Sequence, residues 1–198
     1  MNQPSSRFLS VKEITVSALF VALLSISAQL KIPLPFYPIP FTLQNIAVIL
    51  CGLLLPRRCA LSAILTYVLL GLLGAPIFSG GGGFQYLFSP AFGYLIGFIV
   101  AIALLCSIRP SGQKSRIKTV IGCLLATLSI HLFGSGYFYF ISAFVQHTPH
   151  ALKTTLSMFG LFFPLDVVKF ILAIFIALPI ESRLRTFLTF SKAQPNSR

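Results

Sequence analysis

Phe162-Phe-Pro-Leu-Asp-Val-Val-Lys-Phe-Ile-Leu-Ala-Ile-Phe-Ile-Ala-Leu-Pro-Ile180 is an apolar run interrupted by two charges, Asp166 and Lys169. A stretch of this length and hydrophobicity reads as a membrane helix, because about 20 apolar residues cross the hydrocarbon core. An ionisable group near the centre of such a helix costs about 2.5–3.5 kcal/mol on insertion scales, so charges found there usually mark a path or a site. Asp166 is one of only three acids in 198 residues. Three residues are slightly less than a helical turn, which places Asp166 and Lys169 on one face, able to bond each other or to share a ligand. Two readings follow: a self-neutralising pair that locks one helix in place, or a ligand site.

Working outward, the composition is 56% hydrophobic and 9% charged with a mean hydropathy of +0.92, against roughly 25% charged residues in soluble domains. This predicts an all-α integral membrane protein with room for six transmembrane helices and short loops. Nothing is left over for a soluble catalytic or nucleotide-binding domain. The net charge of +12 would suggest nucleic acid in a soluble protein. Here it reads instead as the basic bias of cytoplasmic loops, with lipid as the surroundings. Cys51, Cys59, Cys106 and Cys123 lie in apolar segments without metal-ligand or disulfide spacing, and read as small buried hydrophobes. No metal or other cofactor is expected.

The apolar runs predict one six-helix domain with spans near 14–30, 41–55, 59–78, 86–108, 119–144 and 162–180. In the first, Ala18 and Ala22 stand four apart on a stripe of small residues, a spacing that lets helix backbones approach closely in lipid. A secretory signal cleaved after Ser25-Ile-Ser-Ala28 is the competing reading of this run. Lys31-Ile-Pro-Leu-Pro-Phe-Tyr-Pro-Ile-Pro40 cannot be helical, since proline fixes φ and removes donors. It is either a rigid connector or an apolar flap whose Leu34, Phe36 and Tyr37 cover an opening. Thr42 and Gln44 follow as candidates to face a ligand beneath that flap, with Asn45 read as a cap or a bond to a neighbouring helix.

Ser79-Gly-Gly-Gly-Gly-Phe-Gln85 is an uncharged glycine run, either a cheap turn or a backbone that closely approaches a ligand. It contains no phosphate-cradling pattern. Gly93 and Gly97 suit a tight helix crossing that brings Tyr94 to the edge of the interface. His131, alone in the fifth run without an evident acidic relay, reads as a helix-to-helix hydrogen bonder, and Pro164 as a break or first turn of the last helix.

Placing the N-terminus inside groups Arg7 and Lys12, Arg57 and Arg58, Arg109, Lys114, Arg116 and Lys118, and Arg183, Arg185, Lys192 and Arg198 on the cytoplasmic side. Only Lys31 and Lys153 fall opposite. That twelve-to-two split argues for six spans with both termini cytoplasmic. It puts Asp166 and Lys169 in the outer part of the last helix, on the same side as the proline and glycine loops. The expected result is a pocket that takes something from outside.

Four segments, Pro38-Ile-Pro-Phe-Thr-Leu-Gln44, Gly74-Ala-Pro-Ile-Phe78 with its following glycines, Gly93-Tyr-Leu-Ile-Gly-Phe98 and Phe163-Pro-Leu-Asp-Val-Val-Lys169, resemble in order the motifs of the BioY family. These are biotin-binding S components of energy-coupling factor (ECF) vitamin transporters, and the resemblance spans nearly the whole chain. It implies a multi-pass protein of the cytoplasmic membrane, with no catalytic residues, that captures biotin externally. It also implies a membrane coupling subunit and two cytoplasmic ATPases as partners, and an S component that tilts in the bilayer to deliver its ligand. Ala18 and Ala22 match the family's Ala-x-x-x-Ala docking motif. Self-association is left open. The chain departs from the family pattern at Ser89-Pro-Ala-Phe-Gly-Tyr94, where Gly-Pro-Thr-Gly-Gly-Tyr is usual, at a slightly shorter glycine loop, and at Leu165 in place of glycine. The pocket wall near Ala91 and Phe92 therefore differs from the family's.

A ureido ring offers two N–H donors and one carbonyl acceptor, which suits Asp166 as acceptor and Lys169 as donor. The valerate carboxylate would then lie outward near Gln85 or the proline loop. In the rival arrangement Lys169 pairs with that carboxylate. Another vitamin or solute, or a membrane-embedded hydrolase, are the alternative functions. The hydrolase would need a His with an acid, and His131 is far from Asp166 in sequence.

Overall fold

The computed structural model of the chain describes residues 9–35, 37–108 and 115–189. Phe36, expected in the flap, and the basic residues Arg7, Arg109, Lys114, Lys192 and Arg198 of the charge count lie outside the described residues. Among the described residues, six α-helices run in order: α1 Val11–Gln29, α2 Gln44–Leu54, α3 Arg57–Leu72, α4 Phe92–Ile108, α5 Arg116–Phe140 and α6 Ala151–Thr189. A two-residue antiparallel ribbon, β1 Lys31–Ile32 with β2 Phe41–Thr42, closes the proline loop, pairing Lys31 with Thr42 and Ile32 with Phe41. Among the described residues, Val11–Gln29, Arg116–Val145 and Ala151–Glu181 are long and apolar enough to cross a membrane, while Gln44–Leu54 and Phe92–Ile108 are shorter apolar helices. The chain is a multi-pass membrane protein.

Local sequence explains the boundaries. Ser10 caps α1 in a reciprocal box: its Oγ accepts from Glu13 N–H at 3.3 Å while the Glu13 carboxylate accepts from Ser10 N–H at 2.8 Å. The helix expected over 86–108 is two elements, a 3-10 turn Phe84–Phe88 and then α4, because Ser89-Pro90 interrupts the backbone ladder. The run expected over 59–78 stops as helix at Leu72, and Gly74 then takes φ 112°, a left-handed value open to glycine. α5 passes into a short π segment, Ile141–Val145.

Pro164 behaves differently from expectation. It neither breaks nor starts α6; both Pro164 and Pro179 lie inside one continuous helix of 39 residues. Pro164 faces outward, away from the core, and nothing lies near the position of a Cβ at Gly160, one turn before it. The ring therefore takes no space in the core, and α6 continues through it. The opposite face of α6 is a single buried stripe, Ala151, Thr155, Met158, Phe162, Asp166, Lys169, Ala173 and Ala177, at three- and four-residue spacing.

The main core gathers Leu24 of α1, Val48 and Cys51 of α2, Ile64 and Tyr67 of α3, Ile102 of α4, Ile130 of α5 and Ala173 of α6. All four cysteines are buried. A second cluster, Ile39, Phe138, Met158 and Phe162, lies under the proline loop. α4 and α5 cross closely at glycine: a Cβ on Gly97 would sit 2.8 Å from Ile130 Cα, and one on Gly93 would be 2.6 Å from the Phe133 carbonyl oxygen. The crossing expected from Gly93 and Gly97 is thus present, and Tyr94 packs against Gly134 on the facing helix.

Candidate ligand-binding site

The buried stripe of α6 carries Asp166 and Lys169 into the bundle, where they are 4% and 8% exposed. Lys169 Nζ lies 2.6 Å from Asp166 Oδ1. The same ammonium donates to the Thr42 carbonyl at 2.6 Å and sits 3.4 Å above the centre of the Phe41 ring. One cation thus binds α6 to the end of the proline loop through charge, hydrogen bond and ring face. On the other side, Asp166 Oδ2 accepts from the Asn45 amide of α2 and is 2.8 Å from His131 Nε2 of α5. Opposite charges side by side neutralise each other, which limits the cost of holding them in a low-dielectric interior.

These groups form part of the lining of a cleft. Its walls come from Ile39, Pro40, Phe41 and Thr42 of the proline loop, Gln44 and Asn45 of α2, and Phe78 and Ser79 ahead of the glycine run. Tyr86 of the 3-10 turn, Ala91, Tyr94, Leu95 and Phe98 of the α4 region, His131 of α5, and Phe162, Asp166 and Lys169 of α6 complete them. Mostly apolar walls with a few converging polar groups are what a small amphipathic ligand needs.

Of the residues singled out from sequence, Asp166, Lys169, Tyr94, Gln44 and Thr42 come together at this cleft. Gln44 Nε2 is committed to Tyr67 Oη at 2.8 Å, and Tyr67 in turn donates to the Ile77 carbonyl at 3.1 Å. Thr42 contributes its carbonyl to Lys169. Gln85 is not brought to the cleft; it is exposed and its Nε2 donates to the Gly82 carbonyl at 2.7 Å. Leu34 and Tyr37 pack on the second cluster, with the Tyr37 ring 5.8 Å from Phe162, while Ile39 and Pro40 supply the loop's lining. Ala91 lines the cleft, whereas Phe92 packs edge-to-face on Tyr137 at 5.7 Å and Leu165 faces outward.

The segment leading into the glycine run is tied down from the end of α1 and from β1. Gln29 Nε2 donates to the Phe78 carbonyl at 3.0 Å and the Pro76 carbonyl at 3.3 Å, and Lys31 Nζ donates to the Ser79 carbonyl. Gly81 and Gly83 adopt φ of 110° and 99°, and Gly82 backs onto the Ala75 carbonyl with no space for a side chain. This folding lays Phe78 against Tyr86, ring centres 4.6 Å apart.

His131 and Asn45 are the polar members whose contact with Asp166 was not foreseen. His131 does make a helix-to-helix bond as expected, but its partner is the acid thought absent. No sequence signal pairs residues 35 and 121 positions apart; only the packing of α2 and α5 on α6 brings them together.

The sequence pattern of the BioY family matches residues 1–186. The chain belongs to the BioY family. Among BioY relatives, a protein of Thermotoga maritima described as biotin transporter BioY is 32% identical over 174 residues, covering 86% of this chain and 96% of that one. A probable biotin transporter BioY of Lysinibacillus sphaericus is 44% identical over 121 residues, 59% of this chain but 61% of that protein. In structure, this BioY chain is similar to the S-component for biotin from an ECF-type ABC transporter, solved at 2.1 Å. The TM-score is 0.73 and the identity 27%, over 89% of this chain and 92% of the other.

Proposed function

We propose that this protein captures biotin and serves in its uptake as the S component of an ECF-type transporter. One observation carries the proposal: a BioY-family fold holds, in the lining of a cleft, a buried carboxylate and ammonium 2.6 Å apart. Biotin's ureido ring presents donors and an acceptor at one end, and so close a pair meets a single end of the ligand. Asp166 therefore accepts a ureido N–H and Lys169 donates to the ureido carbonyl. That geometry disfavours the alternative in which Lys169 holds the distant valerate carboxylate. Tyr94, Phe41 and Phe162 supply apolar wall for the remainder, with Thr42 and Gln44 holding the wall in place. Ile39 and Pro40, backed by Leu34 and Tyr37, form the lid.

The chain is a transporter component, not an enzyme, and ATP hydrolysis belongs to partners. Six spans with both termini cytoplasmic, in the cytoplasmic membrane, are the arrangement the basic-residue split supports. A membrane coupling subunit and two ATPases complete the transporter, docking on the α1 face that carries Ala18 and Ala22. Substrate identity is tested by competition. Labelled biotin bound to the purified protein is displaced by unlabelled biotin and left in place by other water-soluble vitamins. Displacement by a different vitamin at lower concentration would reassign the substrate while leaving the site intact.

A further inference from the structure

The two oxygens of Asp166 are in different situations. Oδ2 accepts from Asn45 and meets His131 Nε2 at 2.8 Å. Oδ1 is buried and its recorded neighbour is the Lys169 ammonium at 2.6 Å, which leaves an acceptor site on that oxygen open. An ionised carboxylate has about four acceptor sites, and a buried one left unmet is costly. We infer that His131 and Asn45 are positioning residues, which fix the carboxylate through Oδ2 and reserve Oδ1 for an N–H donor of the ligand's ureido ring. This rests on the biotin-binding reading above.

The surroundings of His131 are those of an aimed group. Its ring is 1% exposed and lies edge-to-face with Phe159 at 5.7 Å and Phe163 at 5.6 Å, two rings that stack on each other. Tyr94 packs edge-to-face on it at 6.2 Å. Held among these rings, the imidazole points one nitrogen at Asp166. The other, Nδ1, is buried without a hydrogen-bond partner. A proton on Nδ1 would have no acceptor, so the geometry selects the tautomer with its proton on Nε2, donated to Oδ2.

Asn45 reaches the same oxygen from the first turn of α2. Donors from two helices thus converge on a carboxylate carried by a third, which prevents it from turning. The ligand then meets an acceptor already oriented and loses less freedom on binding. A carboxylate held this way also discriminates: a ligand lacking the N–H at that point leaves Oδ1 unsatisfied.

Calorimetric titration of the purified full chain with biotin, and with analogues methylated on one or the other ureido nitrogen, tests this. His131→Phe keeps an apolar ring and loses the donor, and His131→Gln returns an N–H near the place of Nε2. Asn45→Ala removes the second donor independently. The wild type is expected to bind biotin and reject at least one methylated analogue. H131F is expected to weaken biotin roughly tenfold or more and to narrow the biotin-to-analogue ratio, with H131Q recovering most of both. N45A narrows the ratio in the same direction and carries the test if H131F does not fold. Nitrogen-15 spectra of labelled histidine should show the Nε2–H form. Folded H131F and N45A with wild-type affinity and discrimination would overturn the inference, as would H131Q behaving no better than H131F. Folded wild-type protein that binds no biotin is a separate result, which overturns the biotin reading and this inference with it.

Discussion

Removing one charge of the Asp166–Lys169 pair and removing both are different perturbations. Lys169→Ala leaves a buried carboxylate without its cation and strips Thr42 and Phe41 of their partner; breaking a buried pair this way costs about 3–5 kcal/mol. K169A is therefore expected to lower the thermal midpoint in detergent and lose biotin binding. The double variant D166N/K169M, with no net charge left behind, should melt near the wild type and still bind biotin at least about a hundredfold more weakly, since two charge-assisted bonds to the ligand are gone. Paired melting curves and titrations check this; a double variant that binds normally would leave the pair a structural lock. That pair was legible from sequence because local helix geometry alone puts residues three apart on one face. His131 was legible as a bonder but not as a partner of Asp166, and Asn45 not at all as a site residue, because their distances to the acid are set by packing between helices.

At the scale of elements, the proline loop and the residues leading into the glycine run line the cleft, and Gln29 at the end of α1 and Lys31 of β1 hold the latter in place. Gln29→Ala deletes the bonds to Pro76 and Phe78 on the rim. At roughly 1 kcal/mol for a net hydrogen bond, labelled biotin should dissociate about fivefold faster in a chase experiment, with little change in association. The α4–α5 crossing depends on bare glycine at position 97, where the neighbouring atoms are backbone and cannot swing aside. Gly97→Ala should destabilise the protein by about 1–3 kcal/mol, read as a lower thermal midpoint. Both features follow from residue type: proline excludes helix, and small residues at four-residue spacing mark close crossings. The ends of elements were less legible. Leu72 ends α3 through a backbone turn at Gly74, and α6 runs on through an outward-facing Pro164 where residue type alone argues for a break.

At the scale of the whole molecule, the core-facing side of α1 is Val16, Phe20, Leu24 and Ala28, and its other side exposes Ala18 and Ala22 beside Leu19 and Ile26. Small residues there leave a shallow track on which another helix can lie, the place proposed for the coupling subunit. Ala18→Trp fills the track far from the cleft. It should abolish co-purification with the coupling subunit and ATPases while leaving biotin affinity within about twofold; retained assembly would move the docking face elsewhere. The central claim, a biotin site built on Asp166, is tested most directly by calorimetric titration of the purified wild type and Asp166→Asn with biotin. The account predicts saturable binding at one biotin per chain in the wild type and none detectable in folded D166N. Equal affinity in the two proteins would contradict it.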